Sequence, residues 1–381
     1  MAAAKTFRDL NLSIIGVGTQ YPDFSFGSDT LEAIIRTHYP QSPILEKIIS
    51  INQYSGIDTR SSVLTEDHPF LCRDEPPNIS ELHQAFKSLG IPLAVSAAWK
   101  AIRESGIDTS QITHLVCSTC TDVSNPGFDF FVAKELGLDV EKVLLSGVGC
   151  SGGLAALRTA ANLALGYAAM GRPARILCLA LEMTTPLVRS ELDSASERQE
   201  VRIGVCLFSD AASAVILSNG IDDESRPIYR LLGWEHSIIP ESDHELGFDA
   251  DKLGFKVVLS PQVPHLTKLA IRPAFDRLKA CLPQLAPYIS NPSDCDWALH
   301  PGGAAILSGA EEALAISTNR LRASYDVYVR HGNSSSATVF SVLDRLRSED
   351  MDKLVPDKKD YVVACAFGPG ISVEAIMLER P

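Results

Sequence analysis

Short apolar runs alternate with amphipathic or Ala/Leu-rich stretches along the chain. That alternation is expected of strands and helices packed in layers. Asn11–Val17 (NLSIIGV) reads as a first strand, Ile34–Ile51 as a helix ending near Gln53, and Gly56–Phe70 as a polar loop. Asn78 and Glu81 have the spacing of a capping box, opening a helix that runs to Ser105 and is interrupted near Gly90 and Pro92. Thr113–Ser118 reads as a strand and Phe130–Leu136 as a helix. Ala174–Glu182 (ARILCLALE) is apolar without alternation, as in a strand buried on both faces. Val201–Ser218 reads as two strands joined at Ser209 and Asp210, and Gly220–Arg226 as a polar link.

The second half replays this order. Ile228–Ile239 reads as a strand, Pro240–Gly254 as a loop, Phe255–Leu259 as a short strand and Pro261–Cys281 as a helix. Asp296–His300 (DWALH) matches THLVCS, and Tyr361–Phe367 (YVVACAF) matches ARILCLALE. Ala304–Ala315 and the stretch after Asn333 read as helices, and Ile371–Leu378 as a returning strand. Cys117 to Cys150 and His300 to Asn333 are both 33 residues apart. These matches predict a duplicated α/β fold with pseudo-twofold symmetry, its halves spanning 1–225 and 226–381. Cys150 and Asn333 are then expected at equivalent helix N-termini facing one central region.

Composition narrows the function classes. The 381 residues are 45% hydrophobic and 21% charged, with a net charge of −13. This is a globular chain with no Lys/Arg block to bind nucleic acid. No apolar run has the length of a membrane span. Nine cysteines follow a polar Met1–Leu10 with no secretory segment, so reduced thiols in the cytoplasm are expected. Cys117 and Cys120 form a CxxC, but no second pair stands at zinc spacing, so no metal is expected.

The candidate chemistry centres on VLLSGVGCSGGLAALRTAANLALG. Glycines flank Cys150 between a strand and a helix, where the helix N-terminus favours a thiolate. A buried structural cysteine is the bland alternative. His300 ends a strand ahead of Pro301-Gly302-Gly303, and Asn333 precedes a helix in HGNSSSA. A Cys/His/Asn set serves papain-like proteases or carbon–carbon condensing enzymes. The internal, strand-following position of Cys150 in a duplicated α/β chain disfavours the protease.

Four segments, GVGCSGG, WALHPGGAAIL, YVRHGNSSSATV and AFGPGISVEAIML, resemble the type III polyketide synthases, the chalcone synthase-like family of the thiolase superfamily. The resemblance runs over nearly the whole chain, and the Phe367-Gly368-Pro369-Gly370 loop discriminates most. It implies a thiolase-like αβαβα fold, a homodimer, and decarboxylative condensation of malonyl-CoA onto an acyl-CoA, with no cofactor beyond these thioesters. Cys150 would carry the chain, and His300 would help keep it ionised. His300 and Asn333 would hold the malonyl thioester and its enolate. Phe208 and Phe255 match the family's gatekeeping phenylalanines. Cys120, Met183, Thr184, Phe248, Ser335 and the Gly368, Pro369, Gly370 turn would line the cavity. Arg60 is the only candidate for the CoA phosphates in GIDTR, where plant members are more basic. The cavity set looks closer to fungal members taking fatty acyl starters, with alkylpyrones, alkylresorcinols or resorcylic acids as products. A priming ketoacyl synthase working with a carrier protein, and a non-catalytic protein of the same fold, are the rival readings.

Overall fold

The computed structural model describes residues 7, 9–251 and 254–381. Most of the polar Met1–Leu10 stretch therefore lies outside the described residues, as do Lys252 and Leu253 of the expected 240–254 loop.

The N-terminal half runs β1 (Leu12–Gln20), β2 (Phe24–Phe26), α1 (Ser28–His38), α2 (Pro43–Gln53), β3 (Arg60–Ser62), α3 (Pro69–Cys72), α4 (Ile79–Ala85) and α5 (Ile91–Ser105). It continues through β4 (His114–Ser118), α6 (Phe128–Leu136), β5 (Glu141–Leu145), α7 (Gly152–Ala169), β6 (Arg175–Glu182), α8 (Val188–Arg198), α9 (Gly204–Leu207) and β7 (Ala211–Ser218). The C-terminal half comprises β8 (Tyr229–Ile238), β9 (Leu246–Asp251), β10 (Gly254–Leu259), α10 (Val263–Ala280), β11 (Asp296–Leu299), α11 (Ala304–Leu314) and α12 (Arg322–His331). It ends with α13 (Thr338–Leu346), α14 (Glu349–Lys353), β12 (Tyr361–Gly368) and β13 (Ser372–Glu379).

Nine strands form one sheet in the order β11-β12-β13-β8-β1-β7-β6-β4-β5. The halves join where β1 pairs with β8, antiparallel, through Leu12, Ser13 and Ile14. On either side of that pair the directions repeat. β4 is parallel to β6 and β6 antiparallel to β7, as β11 is parallel to β12 and β12 antiparallel to β13. β5 continues the N-terminal side and ends the sheet.

Alternate residues show the layers directly. Ile176 and Cys178 of β6, and Val362, Ala364 and Ala366 of β12, pack with α7 and α13 in one central core. Leu177, Leu179 and Leu181 face α5 and α6 on the other side, while Val363, Cys365 and Phe367 face α10 and α11. The order is thus helix, N-terminal half of the sheet, helix, C-terminal half of the sheet, helix, the expected αβαβα arrangement. Both faces of β6 and β12 are buried, which explains their unbroken apolar runs. Small residues let α7 approach the opposite half closely: a Cβ on Gly153 would lie 2.6 Å from the Ser336 carbonyl oxygen.

Several local expectations are corrected. Ile34–Ile51 is two helices, because Pro43 and the Ser42 cap start α2 afresh. The capping box at Asn78 and Glu81 is present. Beyond it a π-turn, Phe86–Gly90, carries the chain into α5 and absorbs Pro92 in a first turn. The first strand assigned within Val201–Ser218 is instead the helical turn α9. The loop 240–254 contains β9, which pairs with β10. α8 and α12 have no counterpart in the sequence reading. The equal 33-residue spacings are one residue out of register. The ladders make His114 the counterpart of Asp296, so Ser118 rather than Cys117 matches His300.

Candidate active site

The Cys150 turn and the Asn333 turn meet at the centre of the molecule. Gly149–Ser151 is a 3-10 turn leading into α7, and Ser335–Ala337 is a 3-10 turn leading into α13. The strict counterpart of Cys150 is therefore Ser336. Asn333 stands ahead of its turn, which corrects the expectation that Cys150 and Asn333 occupy equivalent places. The two turns touch through Ser335, whose hydroxyl donates to Cys150 Sγ at 3.4 Å.

Asn333 is fixed at both ends. Its Oδ1 accepts from the Ser335 N–H at 2.8 Å, and its Nδ2 donates to the Gly302 carbonyl at 3.3 Å. A parallel bridge ties its backbone to the segment carrying Phe208. Asn333 N donates to Leu207 O at 3.0 Å, and Ser209 N donates to Asn333 O at 2.9 Å. His300 follows β11, with its backbone N–H on the Cys365 carbonyl at 2.8 Å. Its ring is 2% exposed. Both ring nitrogens lack a partner among the described residues. Buried and unsatisfied, they are groups that an incoming carbonyl would stabilise by accepting a hydrogen bond.

Burial dominates the electrostatics. It pushes the Cys150 thiol up to about 11, with the Ser335 hydroxyl opposing, and lowers His300 to about 3. Both shifts favour the neutral forms, thiol and imidazole, the direction opposite to the ionised pair expected from a helix N-terminus and a histidine. A neutral imidazole still offers one N–H donor and one acceptor.

Cys150 opens onto a cleft whose empty space, counted out to open solvent, is about 660 Å³. Leu187, Val188, Val205, Leu246, Phe248 and Val257 make it mostly apolar, and Phe208 stands in its wall. Cys120, Thr184, Ser335 and Pro369 line it as expected. Gly368 and Gly370 instead set the position of Pro369, whose ring lies 2.6 Å from where a Gly149 Cβ would stand. Gly370 takes φ +58, which favours glycine.

Three expected site residues sit elsewhere. Met183 is 3% exposed and packs in the outer core, against the Cα of Gly90. Phe255 does not line the cavity; it stacks behind Phe248 with centroids 5.1 Å apart. Arg60 is 5% exposed, in β3, and its Nη1 donates to Asn52 Oδ1 at 2.9 Å and to the Val205 carbonyl at 2.5 Å. Folded inward, it is not presented to a phosphate in solution.

Three residues escaped the sequence reading. Glu182 ends β6 fully buried, and its carboxylate accepts from the Cys120 N–H and thiol, from Thr119 and Thr121, and from the Ser336 hydroxyl. Burial raises its pKa, while the hydrogen bonds from Ser336, Cys120 and Thr121 oppose that rise. The one charge closing an apolar run was its signal. Glu191 lines the cavity from α8 and accepts the Val257 N–H at 3.2 Å, holding the β9–β10 hairpin against it. Lys47 of α2 lines an open groove of about 1320 Å³ with Tyr54, Leu207, Gly302 and Gly303. The groove and the cavity meet at Leu207 and Phe208.

On a duplicated αβαβα fold, the Cys150 and Asn333 turns thus meet beside a groove and an apolar cavity, with His300 two residues before the Gly302 carbonyl that Asn333 binds. The sequence models of the chalcone and stilbene synthases match at residues 10–221 (N-terminal domain) and 232–380 (C-terminal domain). The chain belongs to this family, the type III polyketide synthases, and is an acyltransferase that forms carbon–carbon bonds by Claisen condensation. It is 42% identical over 392 residues to the type III polyketide synthase pspB of Penicillium soppii, covering 97% of this chain and 96% of that one. It is 40% identical over 378 residues to the acylalkylpyrone synthase csyB of Aspergillus oryzae, covering 97% and 95%. A crystal structure of CsyB with CoA-SH aligns with a TM-score of 0.93 over 97% of this chain and 100% of that one. A type III pentaketide synthase from Neurospora crassa aligns with a TM-score of 0.95 at 55% identity, over 98% and 100%.

Proposed function

We propose that the enzyme takes a fatty acyl-CoA starter, extends it with malonyl-CoA, and releases an alkylpyrone, alkylresorcinol or resorcylic acid. The observation that carries this reading is the apolar cavity behind Cys150, which suits an aliphatic chain. The relatives named for acylalkylpyrone and pentaketide synthesis support it.

In this reading CoA lies in the groove with Lys47, in place of Arg60, near its phosphates. Phe208 separates groove from cavity. The Cys150 thiol gives its proton to His300 as sulfur attacks the starter carbonyl, and the C–S bond to CoA breaks as His300 passes that proton to the departing CoA sulfur. Malonyl-CoA then enters. Its thioester oxygen accepts from the His300 N–H and from the Asn333 Nδ2 hydrogen not used on Gly302. Loss of CO2 leaves its electron pair as an enolate, and these donors hold the oxyanion. The enolate carbon attacks the Cys150 thioester, a C–C bond forms, and Cys150 departs as thiolate. The extended chain, now on CoA, returns to Cys150 for the next round. Thiol, imidazole and amide suffice for these steps, so we read no further cofactor into the site.

Among the described residues no strand pairs with the outer edge of β5, and Phe130 beside it is 44% exposed, which supports a twofold homodimer closed at this edge. No disulfide forms among the described residues, and no helix among them is long and apolar enough to cross a membrane. Both fit a reducing, cytoplasmic setting. The test is incubation with acyl-CoAs of graded chain length and malonyl-CoA, followed by mass spectrometry of products and protein. Long-chain starters should load Cys150 and give ring products. Loading only by short or aromatic starters would refute the fatty acyl assignment.

A further inference from the structure

Arg60 has no part in the chemistry above, yet it is among the most expensively placed residues of the chain. It is a cation 5% exposed. Among the described residues no carboxylate lies within ion-pair distance of it. Its contacts are an amide oxygen and a backbone carbonyl. Burying an uncompensated charge is costly, so its contacts show what its retention supports.

Each contact leads to the gate. The Val205 carbonyl belongs to α9, the helical turn whose next residue is Phe208. α9 and Asn333 are joined by the backbone bridge at Leu207 and Ser209. The aliphatic stem of Arg60 packs on Gly332, immediately before Asn333: a Cβ there would lie 3.0 Å from Arg60 Cγ and 3.1 Å from Leu207 O. On the far side Asn52 closes α2, the groove helix that carries Lys47. Its Oδ1 is aimed at Arg60 because its Nδ2 is held by the Ser28 carbonyl at 2.8 Å. The neighbouring strand residues share the task. The Ser61 carbonyl accepts the Asp210 N–H at 2.9 Å, and the Ser61 hydroxyl meets His331 Nδ1 at 3.0 Å.

We infer that Arg60 is a positioning residue for the malonyl half of the reaction, a strut that locks the groove helix, the Phe208 gate and the Asn333 loop into one register. Arginine suits this place because one nitrogen serves two acceptors on different elements while the stem fills the space over Gly332. The Cys150 turn lies outside the strut. Loosening Arg60 disturbs the malonyl step more than acyl loading, because Asn333 acts on the malonyl unit whereas the groove serves both thioesters. The inference rests on the reading of Asn333 and Phe208 given above.

The experiment uses the full-length enzyme with Arg60→Met and Arg60→Lys. Three quantities are measured: Cys150 acylation by intact-protein mass spectrometry, malonyl-CoA decarboxylation, and the fraction of decarboxylated malonyl units captured in product. For Arg60→Met the expectation is loading within about threefold of wild type, decarboxylation down about tenfold or more, and a lower captured fraction. Arg60→Lys, which keeps the charge and one contact, should recover much of both. Should Arg60→Met not fold, Asn52→Ala cuts the groove end of the strut and should show the same split in weaker form. Loading and decarboxylation falling together, in proportion to folded enzyme, would show a merely structural residue and overturn the inference. So would unchanged kinetics. Asn333→Ala runs alongside: decarboxylation at the wild-type rate there would instead remove the reading of Asn333 on which the inference stands.

Discussion

The turn before α7 and the turn before α13 are the same piece of backbone used twice. Gly149 opens one at φ +45 and Ser335 opens the other at φ +47. In the N-terminal half this left-handed residue is glycine, at little steric cost. In the C-terminal half it is serine, which costs about 1–2 kcal/mol in that region. The strained residue is the one whose hydroxyl reaches Cys150 across the interface. The glycine is the one Pro369 presses against, where no side chain fits. Duplication supplied two matching turns; function shows in where they stopped matching. The same divergence recurs outward, where Glu182 ends β6 and Gly368 ends β12, and where His114 and Asp296 open matched strands.

The largest effect expected from breaking this comparison lies at Asp296. Its fully buried carboxylate binds Arg320, Arg322 and Arg380. His114, its counterpart, meets Thr113 Oγ1 at 2.8 Å and the Tyr167 ring edge-on, with no ion pair among the described residues. Asp296→Asn should cost about 3–5 kcal/mol in denaturant melts, as expected when one partner leaves a buried ionic cluster. Burial opposes ionisation of Asp296, but the three arginines outweigh it and hold its pKa below the ordinary value. Its contribution is thus full above about pH 4 and lost as pH falls through the lowered folded value, so the gap between wild type and variant should close in acid. A gap that stays constant down to pH 3 would be inconsistent with this cluster.

Next in size is the pH dependence of Cys150. A thiol pushed up to about 11 ionises progressively between pH 7 and 9, so its alkylation should accelerate about tenfold per unit. Peptide mapping must separate it from Cys72, the cysteine that is exposed to solvent. A rate already level at pH 7 would mean a preformed thiolate and would restore the ionised pair suggested by the sequence. The smallest effect is the most specific. Ser335→Gly makes the two turns alike. It should stabilise the fold by up to about 1 kcal/mol by relieving φ +47. It should also slow loading of Cys150 about three- to tenfold, the worth of one hydrogen bond. Stability and loading moving in the same direction would contradict the trade.

What could be read from the sequence was what one strand or one turn encodes alone. The runs around Ile176 and Val362 announced doubly buried strands, and the glycines around Cys150 announced a tight approach. The three candidate catalytic residues were named because each sits beside such a signal. What escaped depended on tertiary direction. Arg60 looks the same in a sequence whether it faces solvent or Asn52. Met183 adjoins Thr184, yet strand alternation sends it to the outer core. α9 was misread because Val205, Cys206 and Leu207 are apolar in either state, and only packing beneath α2 decides for a helical turn.

The central claim is that Asn333 acts on malonyl-CoA while Cys150 holds the chain. It is tested most directly by assaying Asn333→Ala and Cys150→Ala for two quantities, Cys150 loading by intact-protein mass and acetyl-CoA release from malonyl-CoA. Asn333→Ala should load the starter yet lose decarboxylation by roughly a hundred- to a thousandfold, the worth of one oxyanion donor. Cys150→Ala should show no acyl-enzyme but retain decarboxylation. Decarboxylation by Asn333→Ala at the wild-type rate would contradict the account and leave Asn333 as a tie between Gly302 and Ser335.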